Sequence, residues 1–142
     1  MRRIIVGTDG SRGANRAIIA AAQLARAVNT DLYIVTVGDD LSTSDLNKLA
    51  RIEGDIGDAL ELVSNQLLDQ AKKRATKAGA TSVKLRTGWG DPAKAIIEIA
   101  QREKANLIVV GRRGRSRLTG LLLGSVSQKL ASLAPCLVMI VP

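Results

Sequence analysis

Leu107-Ile108-Val109-Val110-Gly111-Arg112-Arg113-Gly114-Arg115-Ser116-Arg117-Leu118-Thr119-Gly120 begins as an apolar run, stops on a glycine and gives way to a basic, glycine-rich loop. A short aliphatic run bounded in this way reads as a strand buried on both faces. Four other runs have the same character: residues 4–6, 32–37, 83–85 and 137–141. The stretches between them carry helical periodicity. In residues 14–27, Ala14, Ile18, Ala21, Ala22 and Ala25 share a face, with Asn29 as the stop. Residues 55–78 place Ile56, Leu60, Val63, Leu67, Ala71 and Ala78 on an inner stripe, with Gly79 at the end. Asp91-Pro92 pairs an N-cap acid with a proline at the first helical position, and the helix runs to about residue 104 over Ala93, Ile96, Ile97 and Ala100. A last helix opens near Gly124-Ser125, turns Val126, Leu130 and Leu133 inward, and ends before Pro135.

Strands alternating with helices define an α/β chain with a parallel sheet and right-handed crossovers. The expected architecture over residues 1–142 is one domain, a Rossmann-like five-stranded parallel open sheet in the order 3-2-1-4-5 with helices on both faces. In such a sheet ligands bind at the carboxyl ends of the strands, where the winding direction reverses. A sequence alone does not give strand order; if the order is 3-2-1-4-5, the crevice lies between the ends of strands one and four. The two most glycine-rich loops follow those strands: Gly7-Thr8-Asp9-Gly10-Ser11-Arg12-Gly13 and the loop from Gly111. The second is about ten residues long, against about 2–6 for most connections of its kind. Gly111 and Gly114 allow the backbone to approach a ligand, and Gly124-Ser125 opens a helix whose free N–H groups favour an anion. Arg112, Arg113, Arg115 and Arg117 add positive charge. Together these elements read as a phosphate cradle, although neither G-x-x-x-x-G-K-[ST] nor a G-x-G-x-x-G after the first strand is present.

Composition narrows the chemistry. Among 142 residues, 46% are hydrophobic but only 1% aromatic, so the core is built from Val, Ile, Leu and Ala. The chain has no His, which excludes imidazole bases, His-containing triads and His-ligated metals. Its single cysteine, Cys136, sits in an apolar run, excludes an internal disulfide and reads as a small core residue. The net charge of +8 suits a polyanionic partner. Nucleic acid is disfavoured, because Tyr33 and Trp89, the two aromatic residues, lie away from the arginine loop and offer it no stacking platform. No apolar run approaches the roughly 18 residues of a spanning helix, and the N-terminus reads as a strand, so a soluble cytoplasmic protein without membrane contact is expected. Residues 39–54 are polar and weakly patterned, a mobile loop or short extra helix with no assigned chemistry.

These residues resemble the universal stress protein family across essentially the whole chain. Ile4-Ile5-Val6-Gly7-Thr8-Asp9-Gly10-Ser11 is similar to that family's first strand and T-D-G-S turn, and Gly111-x2-Gly114-x9-Gly124-Ser125 fits the G-x2-G-x9-G-[ST] pattern of its ATP-binding branch. The resemblance implies that Gly111, Gly114, Gly124 and Ser125, with Arg115 beside them, hold ribose and phosphates. It implies that Thr8 and Asp9 line the ribose and adenine side, and that Val37 and Val110 give apolar contacts to the base. It also implies a homodimer through the final strand, whose apolar edge would otherwise be open. Thr87-Gly88-Trp89-Gly90-Asp91-Pro92 looks like the family's turn before the third helix, with Trp89 as a departure. Plainer roles stay open: Asp9 as a bond to its own turn, the glycines as a tight turn, Ser125 as a helix cap. The favoured function is an ATP-binding sensor or regulatory module. The alternatives are a slow ATP-hydrolysing enzyme, in which Asp9 helps to position Mg2+ on the phosphates, and a protein-interaction module that binds AMP or cAMP incidentally.

Overall fold

The aliphatic runs become β1 (Arg3–Gly7), β2 (Asp31–Val37), β3 (Val83–Gly88), β4 (Leu107–Gly111) and β5 (Leu137–Val141) in a computed structural model that describes residues 3–38, 56–112 and 123–142, with backbone only for 56–59. Between them lie α1 (Arg12–Val28), α2 (Ile56–Lys77), α3 (Pro92–Arg102) and α4 (Ser125–Leu133). Every strand pairing is parallel, as the alternation of elements implies, and the sheet runs β3-β2-β1-β4-β5, the expected order. Residues 39–54, the polar segment to which no chemistry was assigned, fall outside the described residues, as do 113–122.

Because side chains alternate across a strand, each central strand feeds two cores. Ile4, Val6, Leu32, Ile34, Leu107 and Val109 pack beneath α1 and α2 with Ala17, Ile18, Ala21, Leu68 and Ala75. Ile5, Tyr33, Val35, Val37, Ile108 and Val110 pack beneath α3 and α4 with Ala93, Ile96, Ile99 and Leu130. Each fully buried aliphatic side chain contributes about 1.5–3 kcal/mol, so β1, β2 and β4, almost wholly inaccessible, carry most of the stability.

The edges depart from the expectation of strands buried on both faces. In β3 most residues are half-buried, and in β5 Leu137 is 66% and Met139 37% exposed. Both project from the side of the sheet that carries α1, and β5, the edge strand, is paired only with β4. The helical stripes shift in the same manner. Leu68 and Ala75, rather than Leu67 and Ala78, take the deep positions of α2, and Leu133, expected to face inward, is 67% exposed at the end of α4. Among the described residues no helix is long and apolar enough to cross a membrane.

The helix boundaries follow local chemistry. Asn29 adopts a left-handed conformation at φ 53° and closes α1 by donating its N–H to the carbonyls of Ala25 and Arg26. Asp91 caps α3, accepting from the Lys94 N–H at 3.0 Å, with Pro92 at the first helical position. Lys129 of α4 meets the same carboxylate at 3.1 Å, which ties together the two helices that border the sheet's carboxyl edge on this face. The Lys94 N–H first, then Lys129, hold the Asp91 carboxyl below its ordinary 3.8. A depressed carboxyl contributes stability above its unfolded value and loses it as pH falls through the folded value. Asp91→Ala is therefore expected to lower the melting temperature at pH 7, and the gap between variant and parent to close as acid titration passes below 3.8.

Thr36 in β2 is fully buried, and its Oγ1 has no hydrogen-bond partner among the described residues. An unpaired buried hydroxyl costs about 1–3 kcal/mol, and valine keeps the shape without it. Thr36→Val is expected to raise the unfolding free energy by about 1 kcal/mol, read from the shift in urea midpoint at unchanged slope.

Candidate functional site

Two glycines set the geometry where β1 and β4 end. A Cβ placed on Gly111 would lie 2.8 Å from the Gly13 carbonyl carbon and 2.9 Å from its oxygen, so the first turn of α1 rests directly on the end of β4. Gly111 was expected to admit a ligand; its first duty is to admit a helix. On the opposite side, a Cβ on Gly7 would meet only side-chain atoms, Ile96 Cδ1 at 3.2 Å and Val110 Cγ1 at 3.4 Å. Between these points opens a cleft of about 260 Å³, near the lower end of the roughly 300–1,000 Å³ range of small-molecule sites.

One wall is the turn after β1. The Thr8 N–H donates to the Val35 carbonyl at 2.8 Å, and Thr8 Oγ1 accepts from the Gly10 N–H at 3.2 Å. Gly10 takes φ 81°, a conformation that favours glycine. Asp9 Oδ1 accepts from the Ser11 N–H at 2.9 Å, the local turn bond considered for it, while Asp9 also lines the cleft and is largely buried. The floor is apolar, formed by Val35, Val37, Ile96 and Val110. Pro92 at the start of α3 and Ala14 in the first turn of α1 complete it.

The other wall joins the end of β4 to the first turn of α4. The Arg112 N–H donates to the Val141 carbonyl at 2.7 Å, and the Arg112 carbonyl accepts from the Gly124 N–H at 2.8 Å. Gly124 is the N-cap of α4 and supplies no side-chain cap, so Ser125 is not the cap but the first helical residue. Ser125, Val126 and Ser127 line the cleft, and Arg112 faces them. A helix start without a side-chain cap presents N–H groups and a positive dipole end to an anion.

Of the residues singled out in the sequence, Thr8, Asp9, Val37, Val110, Gly111, Gly124 and Ser125 line this one cleft. Gly114 and Arg115, with Arg113 and Arg117, lie outside the described residues. Pro92, Ile96 and Ser127 had not been assigned to the site. For Pro92 and Ile96 a signal was present, since the start of α3 follows β3 at the same sheet edge. Ser127 is the third residue of α4, where a side chain folds back over the first turn. Trp89, 56% exposed, has a physical place after all: its ring lies against Gly38, where a Cβ would collide with it. Cys136 packs half-buried against the α3–α4 core, and burial pushes its thiol pKa up, which disfavours the thiolate.

A doubly wound parallel sheet with a glycine-walled cleft at its switch point defines a class of ligand-binding α/β proteins, and comparison with known sequences narrows it. The universal stress protein family model matches residues 1–142, and the chain belongs to that family. Universal stress protein Rv1636 of Mycobacterium tuberculosis is 35% identical over 99% of this chain and 95% of its own length. YxiE of Bacillus subtilis is 32% identical over 98% and 97%. Among solved structures, a universal stress protein in complex with cAMP is 36% identical, with a TM-score of 0.75 over 99% of this chain and 97% of that one. The Archaeoglobus fulgidus protein in complex with dAMP shares the fold at 23% identity and a TM-score of 0.69, covering 100% of this chain and 98% of that one.

The contact of Gly111 with backbone, not side chains, yields a comparison. Gly111→Ala is expected to destabilise the fold by about 1–3 kcal/mol, whereas Gly7→Ala, which meets only side-chain atoms, costs less. Denaturant midpoints of the two variants check the order.

Proposed function

We propose that this chain binds an adenine nucleotide in the cleft, ATP foremost, and serves as a regulatory module whose conformation depends on occupancy. The observation that carries the reading is the division of the cleft into an apolar floor and a polar wall. Val35, Val37, Ile96 and Val110 suit the faces of a purine, while Arg112 and the uncapped first turn of α4 suit phosphate. Thr8 and Asp9, on the opposite wall formed by the turn after β1, would take the ribose. The cAMP complex of a relative 36% identical to this chain supports an adenine nucleotide as the ligand class. It also favours a second reading, a cyclic nucleotide in the same cleft. ATP is preferred because the loop after Arg112 carries Arg113, Arg115 and Arg117 with Gly114, more positive charge than a single phosphate requires.

Binding without rapid turnover is the expected behaviour. The chain lacks histidine, and Asp9, the one carboxylate lining the cleft among the described residues, already accepts from the Ser11 N–H. Among the described residues no three metal-ligating side chains cluster; Mg2+ would enter on the phosphates, with Asp9, a carboxylate that lines the cleft, helping to position it. The open edge of β5, with Leu137 and Met139 exposed, suits pairing with a second copy of the chain, and the module would then act as a homodimer on a protein partner in the cytoplasm.

The test is calorimetric titration of the purified protein with ATP and Mg2+, and separately with cAMP, together with thermal melts. Saturation by ATP is expected. At hundredfold excess over its dissociation constant, bound ligand adds about 2.7 kcal/mol, or roughly 10 °C in melting temperature for a domain of this size. Absence of saturation by either ligand at millimolar concentration sinks the reading; saturation by cAMP alone selects the second one.

A further inference from the structure

We propose that Ser127 is a positioning residue for the phosphate side of the cleft: its hydroxyl locks the end of β4 to the first turn of α4 and sets the spacing of the groups that meet the phosphates. The inference rests on the nucleotide reading and names the residue that organises its anion-binding half.

Ser127 is 2% exposed, and its Oγ lies 2.7 Å from the Arg112 carbonyl oxygen and 3.0 Å from that of Gly124. A hydroxyl has one proton to donate, and the shorter contact directs it chiefly to Arg112. The bond spans two segments distant in sequence, one leaving the sheet and one entering a helix. Arg112 is thereby held at both of its peptide groups. Its N–H is fixed on Val141, and its carbonyl on the Gly124 N–H and the Ser127 hydroxyl. Arg112, which lines the cleft, thus has a backbone tied to both β5 and α4.

The same geometry separates positioning from stability. Without the hydroxyl, the Arg112 carbonyl keeps the Gly124 N–H at 2.8 Å, and the Gly124 carbonyl keeps the Gln128 N–H at 3.0 Å. Neither acceptor is orphaned, so the large penalty of an unpaired buried group does not arise. What disappears is the second of two bonds from the start of α4 to the Arg112 carbonyl, so the angle between strand end and helix start is held by one bond instead of two. Preorganised donors lose part of their advantage when that angle loosens, and the loss falls on ligands that carry phosphate. Both hydrogen bonds of Ser127 go to the phosphate side, to Arg112 and Gly124.

The experiment titrates ATP with Mg2+, and separately adenosine, into the parent, Ser127→Ala and Ser127→Thr. For Ser127→Ala, ATP affinity is expected to fall about tenfold, the scale of one hydrogen bond, with adenosine affinity within twofold of the parent. Ser127→Thr, which restores the hydroxyl, is expected to recover ATP affinity. Unchanged ATP affinity in Ser127→Ala, or an equal loss for ATP and adenosine, overturns the proposal. Should the alanine variant not fold, Ser127→Cys, close in size and a weak donor, carries the same comparison. If the parent binds neither ligand, the nucleotide reading itself fails; if the parent binds both and the variants do not differ, that reading stands and the role of Ser127 falls.

Discussion

The architecture of the cleft depends on the backbone-to-backbone contact between Gly111 and Gly13. Strand β4 ends where the first turn of α1 begins to pack, and no side chain separates them. This close approach brings α1 down onto the sheet, so the turn after β1 faces the residues that follow β4 across a narrow gap rather than an open groove. Further along α1 the same economy of bulk continues, with Ala14, Ala17, Ala21, Ala22 and Ala25 all buried. A larger residue at any of these positions would lift the helix and widen the cleft. Packing and recognition are therefore set by one feature, the smallness of residues at the α1–sheet contact.

An almost purely aliphatic interior makes this possible. Branched side chains on β1, β2 and β4 fill both cores with little aromatic bulk, and Tyr33, the one ring that enters, is buried on β2 beneath α3 and α4. Its ring is within 5.1 to 6.0 Å of Arg86, Lys84 and Arg3, two of which also pair with Glu103 at the end of α3. These cations surround a ring at the sheet's amino half, away from the cleft, and they account for part of the excess positive charge without any ligand. Surface pairs of this exposure are worth little individually, so they tune the edge rather than hold the fold.

Sequence periodicity was sufficient for element order, which depends on patterns repeated over many residues, whereas strand order is not written in periodicity, and it is the observed order β3-β2-β1-β4-β5 that places the crevice between β1 and β4. Apolar runs between helical stripes leave few topologies, and the glycine-rich loops mark which strand ends meet. The stop at Asn29 and the start at Asp91-Pro92 were legible for a different reason: capping is local chemistry. Exposure at the edges was not legible. Leu137 and Met139 look the same in sequence as Leu107 and Val109, their partners in the parallel ladder, and only the place of β5 in the sheet tells them apart. The duties of Gly111 and Ser127 were hidden for a related reason. Glycine spacing indicates that a backbone must pass close to something, but whether that something is a ligand or Gly13 depends on tertiary contact. A serine three residues past a glycine reads as ordinary helix until the Arg112 carbonyl is found against it.

Residue 112 links the β4–β5 ladder to the start of α4. Its N–H extends the pairing of β4 with β5 by bonding to Val141, the last residue of that strand, while its carbonyl is held by the start of α4. Arg16 of α1 reaches the same end of the chain, with Nε 2.9 Å from the Pro142 carbonyl. The terminus of β5 is thus anchored by the helix on one side of the cleft and by the strand end on the other. A displacement of Arg112 on ligand entry would strain its bond to β5 or carry the strand with it. A change in the packing of β5 would reach the cleft through the same bond. Since β5 is also the strand with the least covered apolar surface among the described residues, the wall of the cleft and the most exposed edge of the sheet share the Arg112 peptide.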